Sequence, residues 1–232
     1  MRSLVFTLGL GLLTTLGVSA QEGSEVKKAP KFMVSANVNY GIRLADDPDG
    51  LPSNLENYVD DLKKGISFDI SAYYMLNERT GVGLKYNTFS SSNSLAAQDA
   101  IAPNGETGIT NIEDNIRISF YGASVIYNLL EPGVHNVWID GGLGYMHYNN
   151  DAYVHGDYTL SGGTIGFNAG ISYQYEAFPG FSFGPKLSLY TGAISTINIT
   201  GPNGYDEELS LDSDQRESLI RIDMGIGASY RF

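Results

Sequence analysis

The segment Ile220-Arg221-Ile222-Asp223-Met224-Gly225-Ile226-Gly227-Ala228-Ser229-Tyr230-Arg231-Phe232 decides the architecture. In an extended chain Ile220, Ile222, Met224, Ile226, Ala228, Tyr230 and Phe232 share one side, and Arg221, Asp223, Gly225, Gly227, Ser229 and Arg231 share the other. Alternation of this strictness is the period of a β-strand with two unlike faces. The pattern recurs near the start, where Val34, Ala36, Val38, Tyr40, Ile42 and Leu44 alternate with Ser35, Asn37, Asn39, Gly41 and Arg43. Eight such runs, at 31–45, 64–76, 81–90, 112–128, 137–148, 159–175, 181–193 and 218–232, predict an all-β chain. Closed on itself, it is an eight-stranded antiparallel up-and-down β-barrel.

Two places resist the pattern. Ile116 and Ile118 are even-numbered, whereas Tyr121, Val125 and Tyr127 are odd, so a β-bulge is expected near Phe120 and Tyr121. Pro185 has no N–H for the ladder and calls for a local irregularity in the seventh run.

Alternation alone does not say whether the apolar face meets lipid or a soluble core, so a lipocalin-like barrel is the competing fold. Three features favour a transmembrane barrel. The connections between runs alternate in length, at 18, 4, 21, 8, 10, 5 and 24 residues, as when long loops lie on one rim and short turns on the other. Phe32, Tyr74, Tyr127, Tyr173, Tyr175, Phe181, Phe183, Tyr230 and Phe232 collect at strand ends of the short-turn rim, as in a membrane-interface girdle. The opposite strand face is Gly, Ser, Asn and scattered charge, which suits a narrow polar lumen and not a lipocalin pocket.

The rest of the composition agrees. The chain has 232 residues, 28 Gly, 16 Tyr and only 17% charged residues, which suits one β-rich domain. Arg2, the apolar run Leu4 to Val18 and the small residues Val18-Ser19-Ala20 ahead of Gln21 read as a cleaved signal peptide over 1–20. That leaves 21–30 as a flexible periplasmic tail and 31–232 as the barrel. There is no Cys, which removes disulfides and lipoprotein-type acylation. Without Arg2 there are 13 basic and 26 acidic residues, net −13, a balance that argues against nucleic acid as a partner.

The closing segment resembles the C-terminal β-signal of bacterial outer-membrane proteins, carried here by Phe232, Tyr230, Ala228, Ile226 and Met224. With the signal peptide and the eight runs, residues 31–232 resemble the OmpA/OmpX-like group of small outer-membrane barrels. The resemblance implies a Gram-negative cell outer membrane as destination, periplasmic chaperones and the barrel-assembly machinery as handlers, and outer-membrane lipid and lipopolysaccharide as surroundings. There is no soluble peptidoglycan-binding domain of the OmpA type, so wall anchoring is not implied.

A barrel of eight strands is narrow enough for side chains to fill. Lys85, Asp140 and Lys186 are expected at a lower-middle level of the lumen, and Arg43, Asp69, Arg117, Arg221 and Asp223 higher, as two tiers of paired charge that plug it. Other chemistry is thin. His147-Tyr148-Asn149-Asn150 resembles the His-x-Ser-Asn run of lipid A deacylases, but Asn149 stands where the nucleophilic serine belongs. His147 and His155 near Asp151 and Asp157 are a weak metal lead. Asp46-Asp47-Pro48-Asp49-Gly50 hints at calcium but lacks EF-hand spacing. No catalytic, cofactor or metal residue is therefore assigned.

The long loops carry acids: Asp46, Asp47, Asp49, Glu56, Asp60 and Asp61 in the first, and Asp206, Glu207, Glu208, Asp212, Asp214 and Glu217 in the fourth. They can meet lipopolysaccharide through divalent cations or bind a basic partner. The expected function is a monomeric, non-enzymatic barrel presenting acidic extracellular loops for envelope integrity or surface interaction. A narrow channel for ions or small solutes is the alternative, and a lipid-modifying enzyme the third reading.

Overall fold

Each of the eight runs is a strand, and the computed structural model describes residues 31–45, 53–212 and 216–232. The signal peptide, the 21–30 tail, and Asp46, Asp47, Asp49 and Asp214 lie outside the described residues. In chain order the elements are β1 (Phe32–Arg43), α1 (Ser53–Leu62), β2 (Lys64–Met75), β3 (Thr80–Ile101), β4 (Thr107–Asn128), β5 (His135–Val154), β6 (Asp157–Phe178), β7 (Phe181–Thr191), β8 (Ala193–Ile194), β9 (Thr196–Thr200), β10 (Asp206–Ser210), β11 (Glu217–Ser218) and β12 (Arg221–Arg231).

β1 pairs antiparallel with β2 on one side and with β12 on the other, and β12 continues through β7 to β6, so the ring closes. Closure leaves the barrel without a free edge. Around the closed part, the outward face is apolar and the inward face polar. Phe68 and Ile226 are 52% and 71% exposed, while Asp69 and Asp223, on the inward face of the same strands, are 1% and 0% exposed. A surface of exposed Val, Leu, Ile and Phe on a closed barrel is one solvated by hydrocarbon, and the barrel is a transmembrane one.

Four strands are much longer than the runs suggested. β3, β4 and β6 have 22 residues and β5 has 20, against 12 in β1 and 11 in β12. The loops expected at 91–111 and 149–158 are instead hairpins, turning at 102–106 and at His155-Gly156. Alternation with an apolar face is needed only where one side meets lipid, so Ser-rich and Asn-rich sequence can pair above it without that signature. β9 adds to the upper end of β6 through Thr159↔Thr200, and β10 adds to β9, extending this sheet. All of β10 is exposed, and its outer edge pairs with no described strand.

The expected bulge near Phe120 does not form. β4 keeps one register with β5 from Ile112↔Val154 to Asn128↔Trp138, and even-numbered residues point inward throughout. Ile116 and Ile118 are apolar and inside, because the upper lumen is apolar. The described bulges lie at Leu95/Gln98 and Glu176/Phe178 instead. Pro185 does leave a gap: β6 and β7 pair at Ser172↔Lys186 and next at Tyr175↔Phe183. The turn below them, Pro179-Gly180, has Gly180 at φ 82, the left-handed position that a Pro-Gly type II turn assigns to glycine.

The first long loop contains α1. Leu55, Tyr58, Val59 and Leu62 follow helical i, i+3, i+4, i+7 spacing, with Tyr58 and Leu62 buried. The helix packs that face over the upper mouth of the barrel, against β3.

Candidate functional site

The lumen is filled in layers. Next to the short-turn rim, Met33, Tyr73, Met75, Ile126 and Trp138 form a buried apolar floor. Arg231 reaches under it, pairing with Glu176 and lying 5.9 Å over the Trp138 ring. Asn128 Nδ2 donates to Asn136 Oδ1 at 2.7 Å, and Ser229 Oγ to Gln174 Oε1 at 2.6 Å, so the polar groups around this floor are paired.

Above the floor sit two lysines and two aspartates whose charges cancel. Lys85 pairs with Asp140, and Lys186 Nζ lies 3.2 Å from Asp69 Oδ1 and 3.6 Å from Asp140 Oδ1. Asp69 also accepts from Tyr190 Oη at 2.7 Å and Asn37 Nδ2 at 3.0 Å, and Asp140 from Asn168 Nδ2 at 3.2 Å. Four buried charges are tolerable because each carboxylate and ammonium meets several partners. One step higher, Arg221 Nε donates to Asp223 Oδ1 at 2.6 Å and Arg221 Nη2 to Asn87 Oδ1 at 2.5 Å. Ser67 Oγ donates to Asp223 Oδ2 at 2.6 Å. The guanidinium is sandwiched between the rings of Phe89, at 4.7 Å, and Tyr190, at 4.9 Å.

Phe89 begins the apolar cap. With Ile116, Ile118, Phe120, Met146, Tyr148, Ile194 and Leu219 it packs beneath Tyr58 and Leu62 of α1. Gly41 and Gly65 make its socket, since a Cβ on either would lie 2.8 or 2.7 Å from the Phe89 ring. Tyr58 Oη donates to Asp114 Oδ2 at 2.5 Å and Asn93 Nδ2 to Tyr58 O at 3.0 Å, which pins the helix to the β3–β4 hairpin. Burial, the hydrogen bond to Asp114 and the Asp114 and Glu113 charges all push the Tyr58 phenol above its ordinary range, so it remains a donor. Arg43 pairs with Glu217 and tethers the fourth loop beside the cap.

Of the expected lumen charges, Arg43, Asp69, Lys85, Asp140, Lys186, Arg221 and Asp223 are inside, all with side chains almost wholly buried. Asp69 sits lower than expected, within the Lys85–Asp140–Lys186 group. Arg117 is outside. It is odd-numbered on β4, shares a face with Tyr121 and Val125, and is exposed. Ile116 and Ile118 are apolar yet inward, so apolar parity at this level does not mark the lipid face. Carrying the parity upward from Tyr127 places Arg117 correctly. Tyr190, Asn37, Asn87 and Asn168 also serve these charges and are not marked in the sequence, because a neutral polar residue at an inward position does not advertise which charge it serves. Spacing at 55, 58, 59 and 62 could have revealed α1.

Met224, Ile226, Ala228 and Tyr230 all lie along β12, with Phe232 just past its end. The expected girdle residues form ring contacts there: Phe232 stacks on Phe32 at 5.8 Å and Tyr230 at 5.9 Å, Phe32 meets Tyr74 at 5.6 Å, and Tyr175 meets Phe183 at 6.0 Å. His147 and His155 do not converge, because the His155 ring nitrogen sits 3.2 Å from Gly108 O at the start of β4. Among the described residues no group of three or more His, Asp or Glu could hold a metal ion.

No family model matches the chain, and no curated protein sequence does. Solved structures do. A major outer membrane protein from Thermus thermophilus aligns with a TM-score of 0.54 and 18% identity, over 88% of this chain and all of that one. Neisserial surface protein A aligns with a TM-score of 0.53 and 15% identity, over 87% of this chain and 97% of that one. At these identities the likeness is one of fold: the chain is an eight-stranded antiparallel β-barrel with the fold of these small outer-membrane barrels.

Proposed function

We propose that the protein is a monomeric, non-enzymatic barrel of a Gram-negative outer membrane that closes its lumen and presents an acidic extracellular sheet to a surface partner. The observation that carries this reading is the filled lumen, in which an apolar floor, a neutral quartet of buried charge and an apolar cap under α1 succeed one another. A diffusive pore needs a continuous wetted path, and buried apolar layers at both ends oppose one. Planar-bilayer recording of the refolded protein tests it: no steady conductance is expected, and a reproducible open level would establish the narrow-channel reading instead. Mass spectrometry of lipid A from cells with and without the protein should show unchanged acylation, and a changed pattern would establish the enzyme.

Export by a signal peptide at 1–20 and assembly through Phe232, Tyr230, Ala228, Ile226 and Met224 belong to the same proposal. Fractionation with a heat-modifiability gel should place the full-length protein in the outer membrane, and deletion of Phe232 should lower the folded fraction there. Chaperones and the barrel-assembly machinery are the partners during export. Lipopolysaccharide is the neighbour after it. The acids of the extracellular sheet, among them Glu113, Asp151, Asp157, Glu207 and Glu208, favour a basic partner.

A further inference from the structure

Arg117 stands on the outer wall, where its side chain has no partner among the described residues. It pairs in register with Ser90 of β3 and Asn149 of β5, and the row one step toward the membrane is Thr88, Ser119 and His147. One step further down lies the row Tyr86, Tyr121 and Tyr145, an outward aromatic on each of the three strands. Tyr86 and Tyr121 pack with centroids 5.0 Å apart. The Tyr145 ring leans over Gly163, the partner of His147, so its hydroxyl reaches the polar row above. Below these tyrosines the wall is Leu84, Val125, Ala123 and Leu143, and directly above them it is hydroxyl, amide and charge. Tyrosines in this position mark the membrane–water boundary.

Among the described residues neither the Arg117 nor the His147 side chain makes a hydrogen bond or an ion pair, although the chain has nearly twice as many acids as bases. The nearest acids on the same face lie farther from the membrane. Asp151 is one row out, accepting from Asn149 Nδ2 and Thr159 Oγ1 at 3.1 Å each, and Glu113 is two rows out, on the Arg117 strand. Charge on this face therefore runs from positive beside the membrane to negative away from it. Arg117 is four residues, about 13 Å along the strand, beyond Tyr121. From there a flexible side chain can reach back toward the interface.

The geometry points to a binding site for the phosphate of an outer-leaflet lipid on the β3–β4–β5 wall. Arg117 supplies the charge-assisted donors, His147 and the Ser90 hydroxyl flank it, and the acyl chains lie on Tyr86, Tyr121 and Tyr145. The occupant is a phosphorylated membrane lipid such as lipopolysaccharide, held by direct contact and not through bridging cations. This rests on the outer-membrane reading above.

The test uses the full-length protein in zwitterionic detergent, with native mass spectrometry counting bound lipid and a heat-modifiability gel giving the unfolding midpoint. The probes are bisphosphorylated lipid A, dephosphorylated lipid A, phosphatidylglycerol and inorganic phosphate, with EDTA present. Lipid A bearing phosphates should bind saturably and raise the midpoint. Arg117→Gln should weaken it about tenfold, Arg117→Lys less, and Lys64→Gln, at an exposed lysine beside Asp61 on another part of the wall, not at all. Equal binding of phosphorylated and dephosphorylated lipid A by the wild type would overturn the site whatever the variants do. So would an unchanged affinity of Arg117→Gln. A matching effect of inorganic phosphate alone would make it a free-anion site and sink the lipid assignment, as would phosphatidylglycerol binding that Arg117→Gln leaves intact. Failure of the wild type to migrate as a heat-modifiable barrel would strike the outer-membrane reading itself, not this site.

Discussion

The membrane half of β3 to β6 and the half standing above it differ in which side of the strand is apolar. In the membrane, Leu84, Val125 and Leu143 face out while Lys85, Ser124 and Asp140 face in. Above the tyrosine row, Arg117, Asn115 and Asp151 face out while Ile116, Ile118 and Met146 face in. The β4–β5 register never slips, so the inversion there is written entirely in side chains. One ladder is inside-out where its solvent is hydrocarbon and ordinary where its solvent is water.

That contrast can be broken at several points. Phe120→Ala, in the water-side core, should cost about 3–5 kcal/mol in urea unfolding from vesicles, as in a soluble protein. Asp69→Ala, in the membrane-side lumen, should cost about 3–5 kcal/mol for the opposite reason, two lysines left with one carboxylate. Replacing Asp69, Lys85, Asp140 and Lys186 together by apolar residues of similar volume should recover most of that loss. If the single substitution costs nothing, the quartet does not hold the lumen together.

The outer wall gives the more direct comparison. Ile226 and Ile109 are both outward and 71% and 76% exposed, but the first faces the membrane and the second lies on the sheet that stands above it. Ile226→Arg should destabilise by about 2–4 kcal/mol, and Ile109→Arg by no more than about 0.5 kcal/mol. Similar losses would mean that the two walls share one solvent. The most local effect is at the cap. Tyr58→Phe removes one hydrogen bond to a carboxylate, worth about 1.5–3 kcal/mol, so proteolysis within residues 53–62 should quicken while the barrel strands stay protected.

The inversion also explains what could be read from sequence. The final strand, the eight runs and the girdle at Phe32, Tyr74 and Tyr230 were legible because lipid and water impose opposite demands on alternate residues there. The upper strands were not, since Ser91, Ser92, Asn93 and Ser94 carry no period. Arg117 was misplaced for the same reason: apolar meant outward only below the tyrosines. The seven charges that do line the lumen were recoverable as inward positions. Their partners were not, because pairing across a barrel depends on strand stagger, which brings Lys186 of β7 to Asp69 of β2 across 117 residues of chain.

A sheet that leaves the membrane regains the edges that closure had abolished. The outermost one is β10, and it carries Asp206, Glu207 and Glu208 in its five residues. Exposed backbone of this kind invites a neighbouring molecule to stitch on as another strand. Two copies meeting there would bring carboxylate against carboxylate, whereas a chain of opposite charge would meet no such repulsion.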